Sequence, residues 1–186
     1  PLLPHQFSSN GPGMAVADVN GDGLDDIFFG GTSARPGVLY LQTSSGIFTP
    51  ADSQPWEVST GADDMGCLFL DADGDGDNDL LLARGGSEFP DGASQYKSSL
   101  YLNDGKGTFA SKEHALPDIT TSCSVVCSAD FNNDGLPDLF IGGRVSAQQY
   151  PVRPRSYLLQ NTGGAFKDVT AELAPALLQT GMITCA

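Results

Sequence analysis

Short apolar runs, each about four to six residues long, alternate along the chain with clusters of Gly, Asp, Asn and Pro. The runs are rich in Val, Leu, Ile and Phe, which favour strands, and the clusters between them favour turns. The 23 glycines and 12 prolines among the 186 residues strengthen the turn signal. The pattern therefore predicts an all-β chain, and no apolar run reaches the length of a transmembrane helix.

The apolar runs belong to a unit that occurs three times. The first half of each copy is an acidic loop between two apolar runs, found at 13–31, 66–86 and 125–143. The loops begin at Asp18, Asp71 and Asp130, so the period is 53 and then 59 residues, from 71 − 18 and 130 − 71. The second half of each copy has the pattern L-[QN]-x-x-x-G-x-F and starts at Leu41, Leu102 and Leu159. A period of this length indicates a repeat protein whose units stack on their neighbours.

Each copy predicts a strand, the acidic loop, a second strand, a Gly-Gly turn, a variable insert, a third strand, a turn and a fourth strand. The first strands are expected at Met14–Ala17, Cys67–Leu70 and Val125–Ala129. The second strands are expected at Ile27–Phe29, Leu80–Ala83 and Leu139–Ile141. The third strands are expected at Val38–Gln42, Ser99–Asn103 and Tyr157–Gln160. The fourth strands are short and contain Phe48, Phe109 and Phe166.

Four antiparallel strands in a repeat of about 50 residues are the sequence form of a β-propeller blade. We expect residues 1–186 to form one partial propeller, with repeats at approximately 13–60, 61–119 and 120–180. Residues 181–186 are expected to begin the first strand of a fourth blade. Because propellers usually have about four to eight blades, we expect the remaining blades to come from a longer parent chain.

The three acidic loops have the pattern D-x-[DN]-x-D-G-x-x-D. Positions 1, 3, 5 and 9 are always Asp or Asn, and position 6 is always Gly. Position 7 is expected to contribute its backbone carbonyl. The candidate metal ligands at positions 1, 3, 5, 7 and 9 are Asp18, Asn20, Asp22, Leu24 and Asp26; Asp71, Asp73, Asp75, Asp77 and Asp79; and Asp130, Asn132, Asp134, Leu136 and Asp138.

Calcium is the ion that this spacing favours. It takes six to eight hard oxygen ligands, and short Asp and Asn side chains at alternate positions can direct several oxygens inward. Magnesium fits less well because it demands stricter octahedral geometry. An EF-hand is excluded, because its twelfth residue is a bidentate Glu, whereas position 12 here is Phe29, Leu82 or Ile141. The alternative is a plain Asp/Gly turn, which three matched copies disfavour.

The loop, followed by an apolar pair and Gly-Gly, resembles the FG-GAP/VCBS repeat, which builds the propeller of integrin α chains and many bacterial surface proteins. The resemblance covers nearly the whole chain, and Phe29-Gly30-Gly31 is similar to the "FG" of the name. The absence of the "GAP" part favours the bacterial type. The resemblance implies about three structural calcium ions, held in loops between the first and second strands of each blade. It also implies partner binding at the opposite face or the rim.

The net charge of the chain limits the classes of partner that it can bind. Acids outnumber bases 23 to 9, which gives a formal net charge of −14, and three calcium ions would reduce it to about −8. Such a surface repels nucleic acid and anionic lipid, so we expect neither nucleic-acid binding nor membrane insertion. Nineteen of the acids are Asp and four are Glu. This bias indicates metal loops more than a merely solvated surface.

The leading functional hypothesis is an extracellular or cell-surface module that calcium stabilises and that recognises a protein or glycan. Specificity is expected in the inserts Thr32–Gly37, Ser87–Lys97 and Arg144–Arg155. Within the last insert, Arg144, Arg153, Arg155 and Tyr150 form a candidate contact patch, because Arg and Tyr favour interfaces. The competing interpretation is a solvated loop.

Two other functions stay open: part of a carbohydrate-active propeller enzyme such as a lyase or glycosidase, and a structural subunit of an outer-membrane assembly. We expect no catalytic residues in this segment. The adjacent Asp63 and Asp64 are explained by a capped turn, and His5 and His114 are expected on the surface. The repeated Tyr40, Tyr101 and Tyr157 are expected in the core, and the cysteines are interpreted as small buried hydrophobes or as a disulfide between neighbouring strands.

Overall fold

The computed structural model describes residues 11–58 and 61–185. Within them, three antiparallel sheets have four strands each, with the strands in chain order. The first sheet contains β1 (Met14–Ala17), β2 (Asp26–Phe29), β3 (Val38–Gln42) and β4 (Phe48–Pro50). The second contains β5 (Asp63–Leu70), β6 (Asp79–Gly85), β7 (Ser99–Asn103) and β8 (Phe109–Ser111). The third contains β9 (Ser122–Ala129), β10 (Asp138–Val145), β11 (Tyr157–Asn161) and β12 (Phe166–Asp168).

Helix is scarce in the described residues. One four-residue helix, α1 (Thr170–Leu173), follows β12, and short 3-10 turns lie at Pro55–Val58, Ser94–Tyr96 and Pro175–Gln179. No helix of the described chain is long and apolar enough to cross a membrane. The predicted all-β class and the four strands per repeat are confirmed. The described sheets do not close into a ring, so their arrangement as propeller blades stays a prediction.

The three sheets stack face to face through two apolar cores. Phe28 and Leu39 of the first sheet pack against Leu80 and Leu82 of the second. The opposite face of the second sheet, which includes Leu81, packs against the third sheet. All seven residues of β6 are buried because alternate side chains enter different cores. The middle sheet therefore depends on a neighbour on each side.

Trp56 fills the corner between the first two sheets. It is 2% exposed, and its ring meets Phe28, Tyr101 and Phe109 edge-on at centroid distances of 5.2, 5.5 and 5.3 Å. Its indole N–H donates to the Gly37 carbonyl oxygen at 3.2 Å. Trp56 is thus a structural residue of the interface between sheets.

Gly85 of the second Gly-Gly pair and both glycines of the third pair are strand residues, so the predicted turn is wrong for the third pair and begins only at Gly86 in the second. β6 continues to Gly85, and β10 continues through Gly143 to Val145. A Cβ on Gly85 would stand 1.9 Å from the Cys123 carbonyl oxygen, and one on Gly143 would stand 2.0 Å from the Arg155 carbonyl oxygen. Glycine is required because another backbone approaches closely at each site.

The described residues 181–185 do not form a strand, but one of their backbone hydrogen bonds matches a bond between the first two sheets. The Ile183 N–H donates to the Gly143 carbonyl oxygen at 3.0 Å. At the first interface, the Asp64 N–H donates to the Gly31 carbonyl oxygen at the same distance. The further blade stays a prediction, and residues 59, 60 and 186 lie outside the described residues.

We predict that Trp56→Ala lowers the free energy of unfolding by about 3–5 kcal/mol, because it empties a filled aromatic corner. Trp56→Phe retains most of the ring contacts and is expected to cost less. Urea unfolding followed by circular dichroism measures both variants. Equal stability of Trp56→Ala and the parent chain would contradict the structural role of the indole.

Candidate metal centre

Each acidic loop joins the first strand of a sheet to the second. Loop one is 18–26 between β1 and β2, loop two is 71–79 between β5 and β6, and loop three is 130–138 between β9 and β10. The glycines at position 6 are Gly23, Gly76 and Gly135, with φ of 84°, 95° and 91°. This left-handed conformation explains why position 6 is glycine in all three loops.

The carboxylate at position 1 organises the backbone of its own loop. Asp18 accepts hydrogen bonds from the Gly21 and Gly23 N–H groups, both at 2.8 Å. Asp71 accepts the corresponding bonds from Gly74 and Gly76 at 2.7 and 3.1 Å. These bonds curl the backbone around the first carboxylate.

Positions 3 and 5 also bend the loop. In loop one, Asn20 Oδ1 accepts from the Asp22 N–H at 3.0 Å, and Asp22 Oδ1 accepts from the Leu24 N–H at 2.9 Å. Loop three repeats both bonds, with Asn132 and Asp134 as acceptors at 2.8 and 2.9 Å. Each is a local side-chain turn of the kind that Asp and Asn favour.

The aspartate at position 9 is buried in each loop, with exposures of 0% for Asp26 and 1% for Asp79 and Asp138. One of its oxygens accepts the N–H of the residue at position 2, as Asp79 does from Ala72 at 2.9 Å. The other accepts the N–H at the end of the third strand, as Asp79 does from Asn103 at 2.8 Å. Each of these oxygens has a further lone pair, so position 9 can both tie the sheet together and ligate an ion.

Loop two concentrates negative charge. Oxygens of Asp71, Asp73 and Asp79 lie within 4.8 Å of one another. Asp73 Oδ1 and Asp77 Oδ1 are buried and have no hydrogen-bond partner. Loss of solvation and repulsion from Asp75 raise the pKa of Asp77 to about 6. Loss of solvation also raises the pKa of Asp79 to about 6, against two backbone hydrogen bonds that lower it.

The donor set fits a hard divalent cation. A cation in loop two would neutralise the crowded carboxylates and give a partner to Asp73 Oδ1, which is at ligand position 3. Within the described residues, this is the one loop that gathers three carboxylates so closely. Loops one and three place an amide oxygen at position 3, from Asn20 and Asn132, and they share the same backbone hydrogen bonds.

Two asparagines that sequence reasoning did not select as functional tie each loop to the next sheet. Asn103 Nδ2, at the end of β7, donates to the Val19 carbonyl of loop one at 2.8 Å and to the Asn78 carbonyl of loop two at 3.1 Å. Asn161 Nδ2 donates in the same way to Ala72 of loop two at 2.8 Å and to Pro137 of loop three at 3.1 Å. Both asparagines are buried.

The position of Asn161 in the structure corrects the sequence alignment of the third copy. The alignment on Phe166 makes Gln160 the equivalent of Asn103, but the N–H that bonds Asp138 belongs to Asn161. The turn after β11 is one residue shorter than the turn after β7, since Asn161 pairs with Phe166 while Asn103 pairs with Phe109. A count from the phenylalanine therefore misses the asparagine by one position.

One member of the Arg/Tyr patch predicted in the last insert makes contacts within the fold. Arg155 forms an ion pair with Asp168, and its guanidinium lies 4.5 Å from the centroid of the Tyr157 ring. Arg153 is exposed and Tyr150 is half-buried. Arg155 is therefore a structural residue, and Arg144 lies half-buried in β10, so the candidate contact surface is reduced to Arg153 and Tyr150.

The pair Asp63 and Asp64 is not a capped turn, as the sequence had suggested, but the start of β5. Asp64 is buried, accepts the Gly31 N–H at 2.8 Å and pairs with Arg84 at 3.4 Å. Burial raises the pKa of Asp64, although Arg84 and the Gly31 N–H act in the opposite direction. The carboxylate clamps the first sheet to the second.

The remaining predicted side chains have mixed outcomes. Tyr101 and Tyr157 are buried as expected, Tyr40 is half-buried, and His5 lies outside the described residues. All four cysteines are free. Cys123 is buried, and loss of solvation raises the pKa of its thiol to about 12. Cys185 is exposed, so the prediction of burial is wrong for it, because the segment 181–185 is not covered by a further strand.

We predict that Asn103→Ala and Asn161→Ala each lower the free energy of unfolding by about 2–3 kcal/mol, because each leaves one buried and one partly buried carbonyl without a donor and frees a turn. Gln42→Ala is the matched control, since Gln42 occupies the same strand position in the first sheet through its N–H bond to Asp26. Its side chain makes no tie to another loop in the described structure. Chemical denaturation compares the three, and equal losses would contradict the tie.

Comparison with known families agrees with the repeat. The sequence profile of the FG-GAP-like repeat family matches residues 8–82 and 91–141. These two stretches cover all three acidic loops. No individual curated protein matches the chain significantly. The chain belongs to the FG-GAP-like repeat family.

Proposed function

We propose that the chain is an extracellular, calcium-stabilised binding or scaffold module that recognises a protein or glycan. The observation that carries the proposal is loop two, where three carboxylates converge and two buried oxygens have no protein partner. Membership of the FG-GAP-like family supports a binding or scaffold role. The proposal assigns no catalytic role to the segment.

Calcium would supply the positive charge that lets several carboxylates share one small loop. The oxygens at positions 1, 3, 5 and 9, with the carbonyl at position 7, would hold it. Because Asn103 and Asn161 connect each loop to its neighbour, an ordered loop also orders the adjacent sheet. Extracellular modules bind calcium with dissociation constants on the order of 10⁻⁴–10⁻³ M, a range that suits the outside of the cell.

The variable inserts provide an ordered surface for recognition. Tyr96 of the second insert is fully buried, and its hydroxyl donates to the Phe89 carbonyl at 2.9 Å. It shares a small apolar cluster with Ala147 of the third insert and with Ala62. Neighbouring inserts therefore support each other, which limits the entropy cost of presenting them to a partner.

We predict that 10 mM calcium raises the unfolding midpoint relative to EDTA. With dissociation constants of about 10⁻⁴–10⁻³ M, each loop gains about 1.4–2.7 kcal/mol from binding. Thermal unfolding, paired with metal analysis of protein dialysed to equilibrium against the same calcium buffer, checks the shift and the expected stoichiometry of about three ions above the buffer background. An unchanged midpoint with no bound metal would refute the calcium proposal.

We also predict that Asp22→Ala, Asp75→Ala and Asp134→Ala each remove about one calcium ion, because position 5 is a ligand in every loop. Asp25→Ala is the matched control: it removes the same charge from loop one, but Asp25 is exposed and outside the ligand positions. Calorimetric titration gives the stoichiometry. If Asp25→Ala lost an ion while Asp22→Ala retained it, the ligand assignment would be overturned.

A further inference from the structure

Hydrogen bonds connect loop one to the candidate ligands of loop two. Asn103 Nδ2 donates to the Val19 carbonyl, which lies between ligand positions 1 and 3 of loop one, at 2.8 Å. The backbone N–H of the same asparagine donates to Asp79 Oδ1, at ligand position 9 of loop two, also at 2.8 Å. One residue therefore holds the ligand-bearing segments of two loops at once.

A second asparagine repeats this link between loops two and three. Asn161 Nδ2 donates to the Ala72 carbonyl, at position 2 of loop two, and its backbone N–H donates to Asp138 Oδ1, at position 9 of loop three. Both distances are 2.8 Å. Loop two takes part in both links, so within the described residues it lies between loops one and three in the network.

The loops also touch one another directly. Asn78, at position 8 of loop two, donates its side-chain N–H to the Asp18 carbonyl of loop one at 3.0 Å. Leu136, at position 7 of loop three, lies against Gly74 of loop two, since a Cβ on that glycine would stand 3.4 Å from Leu136 Cδ2. Each interface between neighbouring sheets therefore carries a contact from loop to loop beside the asparagine link.

These contacts require that the loops are ordered. The carbonyls at positions 1 and 2 face the asparagines while the loop is curled around its first carboxylate. Asn103 and Asn161 are 8% and 1% exposed, so an open loop would leave a buried amide short of an acceptor. The asparagine would then be held less firmly, and so would the position-9 carboxylate that accepts its backbone N–H. Order in one loop favours order in the next.

We propose that the three loops bind calcium with positive cooperativity, and that loop two is the central site through which loops one and three are coupled. The coupling rests on the proposed function, since it describes how the proposed calcium sites regulate one another. Two bound cations repel each other, so direct electrostatics alone would give the opposite sign. Coupling between linked sites typically changes affinity by about 5–150-fold.

A calcium titration of the ¹⁵N-labelled chain, followed by nuclear magnetic resonance, tests the coupling loop by loop. The amide signals of Gly23, Gly76 and Gly135 report on loops one, two and three, because each glycine occupies position 6 of its loop. We expect a Hill coefficient above 1 in the parent chain. Asp75→Ala, which disables loop two, should raise the calcium midpoints of loops one and three by about fivefold or more.

Asp22→Ala is the matched control for the central position of loop two. It removes the same charge from the same loop position, but it disables loop one and leaves the Asn161 link between loops two and three intact. We therefore expect a smaller shift of the loop-three midpoint in Asp22→Ala than in Asp75→Ala. Equal shifts would overturn the central role of loop two.

Variants of the link itself separate coupling from ligand loss. Asn103→Ala should raise the midpoint of loop one and lower the Hill coefficient, while three ions still bind at saturation. Asn78→Ala is a milder variant that removes the bond to Asp18, and its shift at loop one should exceed any shift at loop three. Gln42→Ala should leave all three midpoints unchanged. Circular dichroism confirms that each variant is folded before it is compared.

The titration separates failure of the coupling from failure of the calcium sites. A Hill coefficient of 1 or less in the parent chain, with the midpoints of loops one and three unchanged by Asp75→Ala, would overturn the coupling and leave the calcium sites standing. A parent chain whose three glycine signals do not respond to calcium would overturn the proposed function and the coupling together.

Discussion

The buried aspartate at position 9 of each acidic loop is the constraint on which the other features depend. Asp26, Asp79 and Asp138 each join the start of a loop to the end of the third strand through two backbone N–H groups. In the second and third sheets, the bond to the end of the third strand comes from the backbone N–H of Asn103 or Asn161. The side-chain amide of that asparagine then reaches the preceding loop. The loops and the sheets are therefore one connected polar network beside the apolar cores, and the geometry of each loop depends on its neighbour.

The apolar faces explain why the sheets stack. Alternate residues of β6 enter two different cores, so the second sheet has no solvated face over this strand. Neither a single four-stranded sheet nor its loop would be stable alone, since both faces are apolar. Gly85 permits the close approach of the Cys123 backbone of the third sheet that this stacking needs.

The sequence was sufficient to predict the strands, the three loops and the family, because a repeated pattern removes the ambiguity of a single copy. It did not predict where β5 and β9 begin, because Asp63 and Ser122 are polar and their burial depends on the neighbouring sheet. Because glycine pairs ordinarily indicate turns, the sequence pattern did not reveal that Gly85 is a strand residue in close contact with another backbone. The strand starts and Gly85 were missed because they depend on contacts between sheets, which a local sequence pattern does not encode, whereas Asn161 was missed because of a change in turn length within one sheet.

Amide hydrogen exchange with and without calcium tests most directly whether the loops order the sheets beside them. Asn103 Oδ1 accepts the Asp104 and Gly107 N–H groups while its Nδ2 is bonded to loop one. We predict that calcium slows exchange at these two amides as well as within 18–26, and that Asn103→Ala abolishes the effect at Gly107. Protection confined to the three acidic loops, with exchange at Gly107 unchanged by calcium, would contradict the account.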